Sequence, residues 1–174
     1  MPRAAGHLRE ALTLTEDPAR RAQTALGLGR ALFGTGQMGE AKAVLEEALA
    51  DPSLDAAQLR SLETGLVVLG LFEPHLVPLA RERLSRFDPD APLTDLDSRI
   101  LLAYGAYDQA RTGTSKDVVA ERAMRLLGDR AILAEDSQGA FAAASRVLLA
   151  ADRLDGFPQR QDSFLTAEGH SLHP

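Results

Sequence analysis

Two segments 37 residues apart carry the same small–large–small pattern on one helical face, and this recurrence limits the fold more than any other feature. Ala4, Leu8 and Ala11 stand at spacings of four and three, and Ala41, Leu45 and Ala48 repeat them. The flanking text agrees: Gly6-His-Leu-Arg-Glu-Ala-Leu12 against Ala43-Val-Leu-Glu-Glu-Ala-Leu49. A period of this size marks stacked supersecondary units, each burying its apolar face on the next.

Another helix lies between the two segments. Asp17-Pro18 starts it, because the N–H that proline lacks would be unpaired in the first turn anyway. Ala25, Leu28, Gly29 and Leu32 form its packing stripe. Gly34 and Gly36 end it and allow a left-handed turn. Residues 18–34 and about 39–50 therefore predict an antiparallel helix hairpin.

Helical spacing continues beyond residue 50. Asp55 to Leu71 carries Leu59, Leu62, Leu66 and Leu69, and Pro74 and Pro78 break it. A short helix follows from about 78 to 87, with Leu79 and Leu84 inward. Asp88-Pro-Asp-Ala-Pro92 is a linker, placed near 88–93. Thr94 and Asp97 suggest a capping box, opening a helix whose stripe is Leu96, Ile100, Tyr104, Tyr107 and Arg111, stopped by Gly113. Ser115 caps a helix with Val119, Ala123 and Leu126, closed by Gly128. A last helix, about 137–154, has Phe141, Ser145 and Leu148 on one side. No stretch alternates in a way that demands a strand, so the predicted fold is all-α.

Composition narrows the function. The chain has 174 residues, 45% hydrophobic and 25% charged, the balance of a folded globular protein. Its longest apolar run, Gly65 to Phe72, falls well short of the roughly 20 residues that a membrane span requires. The N-terminal text has no signal-peptide pattern, so the cytoplasm is the expected compartment. Without cysteine there is no disulfide, thiolate metal site or cysteine nucleophile. The net charge is −6: residues 1–87 hold 10 basic and 11 acidic groups, residues 88–174 hold 9 and 14. Neither half offers the basic field that a phosphate backbone needs.

Motifs for catalysis are missing. Gly29-Arg-Ala-Leu-Phe-Gly34-Thr35 lacks the lysine of a phosphate loop and lies in a helix. His170 and His173 could approach one metal ion, but no third ligand accompanies them. His7 and His75 have no nucleophile or carboxylate at motif spacing, and no Gly-x-Ser-x-Gly occurs. Glu46-Glu47 and Glu135-Asp136 read as solvated helix faces or caps. No catalytic residue, cofactor or metal is expected, and the chain reads as non-enzymatic.

On a 34-residue frame, residues 22–55 resemble a tetratricopeptide repeat, with Leu28-Gly29, Leu32, Gly36, Ala41, Leu45 and Ala48 at the signature positions. The usual early aromatic is Ala25, and Pro52 falls one place early. The resemblance implies a TPR-like antiparallel helix-hairpin solenoid over 1–154, while the polar, helix-breaking text from Gly156 on makes 155–174 a disordered tail. It also implies a role for a second stripe on the first helix. Gln23, Leu26, Arg30 and Phe33 would line a concave groove and contact a protein or peptide partner, one with acidic or aromatic side chains. Packing of Leu26 and Phe33 on the next helix pair, with Arg30 solvated, is the competing expectation.

More widely, residues 4–154 resemble the helical region of the large ATP-binding, MalT-like transcriptional regulators of the LuxR family. The resemblance rests on His7-Leu-Arg-Glu-Ala-Leu12, Asp17-Pro-Ala-Arg-Arg21, Leu28-Gly-Arg-Ala-Leu32, Ala43-Val-Leu-Glu-Glu-Ala48, Leu79-Ala-Arg-Glu-Arg-Leu84 and Leu126-Leu-Gly-Asp129. It implies a fragment that senses an inducer or partner and self-associates, between an ATPase module and a DNA-reading helix-turn-helix that this text does not contain. The segments 4–14 and 137–154 would then be helices without partners, exposing apolar stripes. The alternative is a stand-alone TPR-like adaptor holding a partner peptide in its groove.

Overall fold

A computed structural model describes residues 2–129 and 139–151. Among these residues there are eight α-helices and no strand. They are α1 (Pro2–Leu14), α2 (Pro18–Phe33), α3 (Met38–Leu49), α4 (Ala56–Leu71), α5 (Val77–Leu84), α6 (Leu96–Thr112), α7 (Lys116–Gly128) and α8 (Ala140–Ala150). The chain divides into two compact units, Met1–Leu101 and Leu102–Pro174. The linker expected at 88–93 lies between α5 and α6, inside the first unit. The tail 155–174, with His170 and His173, lies outside the described residues, as do the expected ends of the last helix at 137 and 154.

In the first unit α2 packs on α1, α3 and α4, while α4 also packs on α3 and α5. The α2 start is as the sequence predicts: the Asp17 side chain accepts from the Ala19 N–H at 3.0 Å, and Pro18 occupies the first turn. The end differs in one detail. Gly34 keeps right-handed helical geometry, and Gly36 alone, at φ 77°, makes the left-handed turn. One cluster joins Leu28 and Leu32 to Ala41, and another joins Ala22 and Ala25 to Leu45. Residues late in α2 thus meet residues early in α3, which is the antiparallel register.

Leu45 is the pivot of this packing. Its side chain lies 3.1 Å from where a Cβ on Gly29 would stand and 3.3 Å from where one on Gly65 would stand. One leucine therefore fills glycine-lined sockets on both α2 and α4. Close approach recurs where α4 meets α5: a Cβ on Gly70 would stand 2.9 Å from the Ala80 methyl.

That last contact overturns one sequence expectation. Ala80, and not Leu79, faces inward; Leu79 is exposed and Leu84 only half-buried. A methyl fits over Gly70 where a leucine would not, so α5 is turned by about one residue. Leu59 is likewise exposed at the open start of α4, although Leu62, Leu66 and Leu69 are buried as predicted. The α6 cap is also shifted by one residue. The Ser98 N–H donates to Asp95 Oδ1 at 2.8 Å and the Asp95 N–H donates to Ser98 Oγ at 3.3 Å. The capping pair is Asp95–Ser98, which releases Asp97 from the role assigned to it with Thr94.

In the second unit α7 packs on α8. Val119, Ala123 and Leu126 of α7 are buried as expected. On α8 the buried face is Ala140, Ala144, Val147 and Leu148, leaving Phe141 and Ser145 at its margin. The small residues form the inward face because they let the two helix backbones approach. Gly113, at φ 88°, ends α6 where predicted.

Two glycine substitutions test this packing in opposite directions. Gly70→Ala should lower stability by about 1 kcal/mol, the clash outweighing the helix propensity gained. Gly39→Ala, at an exposed α3 position with nothing within 4 Å, should raise it by about 0.5 kcal/mol. Leu45→Ala should cost about 3 kcal/mol, since two sockets are emptied at once. Urea unfolding of the three variants checks the order and the signs.

Candidate functional site

The stripe Gln23, Leu26, Arg30 and Phe33 runs along α2 beside its buried face, as its spacing of three, four and three requires. The four residues do not share one fate. Leu26 is half-buried and reaches α4, where a Cβ on Gly65 would stand 3.2 Å from its Cδ2. Phe33 is half-buried and meets Phe72 edge to face, with ring centroids 5.4 Å apart and planes at 71°. Gln23 and Arg30 remain exposed. The apolar half of the stripe thus packs within the unit, and the polar half faces solvent.

Arg30 looks toward the start of α6. Crowding by neighbouring atoms lowers its pKa, and the Asp97 carboxylate acts in the opposite sense. An arginine so shifted keeps its proton at any ordinary pH. Among the described residues Arg30 makes neither a hydrogen bond nor an ion pair of its own. Asp97 is half-buried, and its Oδ2 accepts from the Ser61 hydroxyl of α4 at 2.5 Å. Burial pushes the Asp97 carboxyl above its ordinary value and Asp95 adds to this; Ser61, Arg60 and Arg30 oppose it.

One turn away, Arg60 Nη1 donates to Asp95 Oδ2 at 2.9 Å. Burial acts to raise the Asp95 pKa, but the Ser98 N–H and hydroxyl together with Arg60 outweigh it and hold it low. Arg60, Ser61, Asp95 and Asp97 were not singled out as site residues by the sequence. The two contacts join residues 35 and 36 apart, from the second turn of α4 to the start of α6.

On another face of the unit, α1, α2 and α3 enclose a cavity of about 690 Å³. Leu12, Leu28 and Val44 give it an apolar lining, and Arg9 of α1 closes over it to Glu40 of α3 through Nε at 2.8 Å and Nη2 at 2.5 Å. It holds no arrangement of a nucleophile beside a base. His7 and His75 are exposed, and His75 lies 3.0 Å from Glu73. Among the described residues no three His, Asp or Glu side chains converge as metal ligands, and no helix is long and apolar enough to cross a membrane. No family model matches the chain, and no curated protein or solved structure matches it.

The raised carboxyl of Asp97 gives a signed prediction. A carboxyl whose pKa is higher in the folded state binds protons more readily there, so its contribution to stability is present at low pH and is lost as pH rises through the folded value. Asp97→Asn should therefore be slightly more stable than the parent at pH 7, by less than about 1 kcal/mol. The gap should close as pH falls below the carboxylate range. Thermal unfolding from pH 3 to pH 7 measures it, and a parent more stable than the variant at pH 7 would contradict the assignment.

Proposed function

We propose that the chain is a non-catalytic helical-repeat segment that holds a protein or peptide partner against α2. The observation that carries this reading is the uncommitted Arg30 guanidinium, exposed beside exposed Gln23 and drawn toward Asp97 without being paired. A guanidinium with free donors suits a carboxylate of the partner, which it can hold bidentately. Leu26 and Phe33 serve mainly to seat α2 on α4 and so fix where Arg30 points; the exposed edge of Phe33 adds an apolar contact.

The packing of α1, α2, α3 and α4 supports a TPR-like solenoid, since each helix pair leans on the next. The text similarity to LuxR-family regulators supports a segment for sensing and self-association within such a protein, in the cytoplasm. No cofactor, metal or direct nucleic-acid contact belongs to this reading. A stand-alone adaptor would use the same face, and the coding sequence on either side separates the two. A phosphate-loop module before this segment and a helix-turn-helix after it would support the regulator; neither in any frame would remove it.

The face itself is tested on the purified chain with an array of acidic and aromatic peptides. Arg30→Glu should weaken capture of acidic peptides by at least about tenfold, the worth of one charge-assisted pair. Arg20→Glu, on an exposed part of α2, should leave capture unchanged. Equal capture by parent and Arg30→Glu would sink the assignment, provided that circular dichroism shows both folded.

A further inference from the structure

A second cavity, of about 400 Å³, lies between α4, the end of α5, the 88–95 connection and the start of α6. Its size is within the range of small-molecule sites. Phe87, Pro92 and Leu101 give it an apolar wall, and Arg60, Arg83 and Arg86 also line it.

The three arginines differ in what they already hold. Arg60 is bound to Asp95 at 2.9 Å, and Arg86 Nη2 to Glu82 at 2.7 Å, one turn back on the same helix. Arg83 is half-buried and has no hydrogen bond or ion pair among the described residues. A guanidinium whose five donors have no protein partner is free to hold an anion. The two carboxylates in the wall do not take up those donors. Asp88 accepts from the Asp90 N–H at 2.9 Å and so shapes the connection, while Glu63 stands exposed at the rim. They limit the ligand instead, because a polyanion would meet their repulsion.

We infer that this cavity is a site for a small organic anion: one carboxylate or phosphate monoester at Arg83 and Arg86, with an aromatic or aliphatic body on Phe87 and Pro92. Thr94 lines the same cavity and offers a hydroxyl to the head group. The inference is independent of the partner-binding face, from which it shares neither Arg30 nor Gln23.

The probes are phenyl phosphate, benzoate and inorganic phosphate, titrated into the isotope-labelled full chain and followed by NMR. Phenyl phosphate and benzoate should shift the Arg83, Phe87 and Thr94 signals saturably, while inorganic phosphate alone binds at least about tenfold more weakly for want of the apolar contact. Arg83→Gln keeps most of the stem and removes the charge; it should lose at least about tenfold in affinity. Arg21→Gln, on α2, is the charge-matched control and should bind as the parent does. If Arg83→Gln does not fold, Arg86→Gln carries the same test with a smaller loss. Absence of saturable shifts, equal binding by a folded Arg83→Gln, or inorganic phosphate binding as well as phenyl phosphate would each overturn the proposal.

Discussion

Leu45 sits where two helix backbones have been brought close enough to share one side chain. It stands so near Gly29 on α2 and Gly65 on α4 that a Cβ on either would come within 3.1 or 3.3 Å of its methyl groups. The rest of the first unit follows from this wedge. With Leu45 seated, Ala22, Ala25 and Leu62 close around it, and Leu26 comes to rest over Gly65 on the opposite side of the socket. Phe33 is carried to Phe72 by the same approach of α2 to α4. The position of Arg30, one turn before Phe33, is thus set by apolar packing that it does not join.

Much of this was readable in the text because the helices that carry it are one-sided. In α2 and α3 the small and large residues occupy one stripe, so a spacing of three and four identifies the buried face: Ala25, Leu28, Gly29, Leu32, Ala41 and Leu45 are all buried. The method weakens where one-sidedness is lost. In α6 the buried residues Ser98, Ile100, Leu102, Ala103, Tyr104, Ala106 and Asp108 go around the helix, and no stripe can be drawn through them. In α5, eight residues offer too few turns for periodicity to choose a face. There the choice falls to the contact of Ala80 with Gly70, which comes from another helix and leaves no trace in local spacing.

The polar contacts were less legible for a related reason. Charges three or four apart on one helix are visible in sequence, as with Lys42 and Glu46. Arg60 with Asp95 and Ser61 with Asp97 join residues 35 and 36 apart, beyond the reach of local spacing. The one-residue shift of the α6 cap matters here as well. With Asp95 taken by Ser98, Asp97 is left on the helix side from which it reaches Ser61 and faces Arg30.

Among the described residues several arginines tie one part of a unit to another, and others make no such contact. Arg9 ties α1 to α3 through Glu40, Arg60 ties α4 to Asp95, Arg122 donates to Gln109 at 2.5 Å, and Arg111 lies over the Tyr107 ring at 5.7 Å. Exposed pairs of this sort add about 0–1 kcal/mol each, so their effect lies in which elements they join more than in how strongly they hold. Arg30, exposed, and Arg83, half-buried, make no hydrogen bond or ion pair among the described residues. Side-chain ordering without a partner has an entropic cost and no local return.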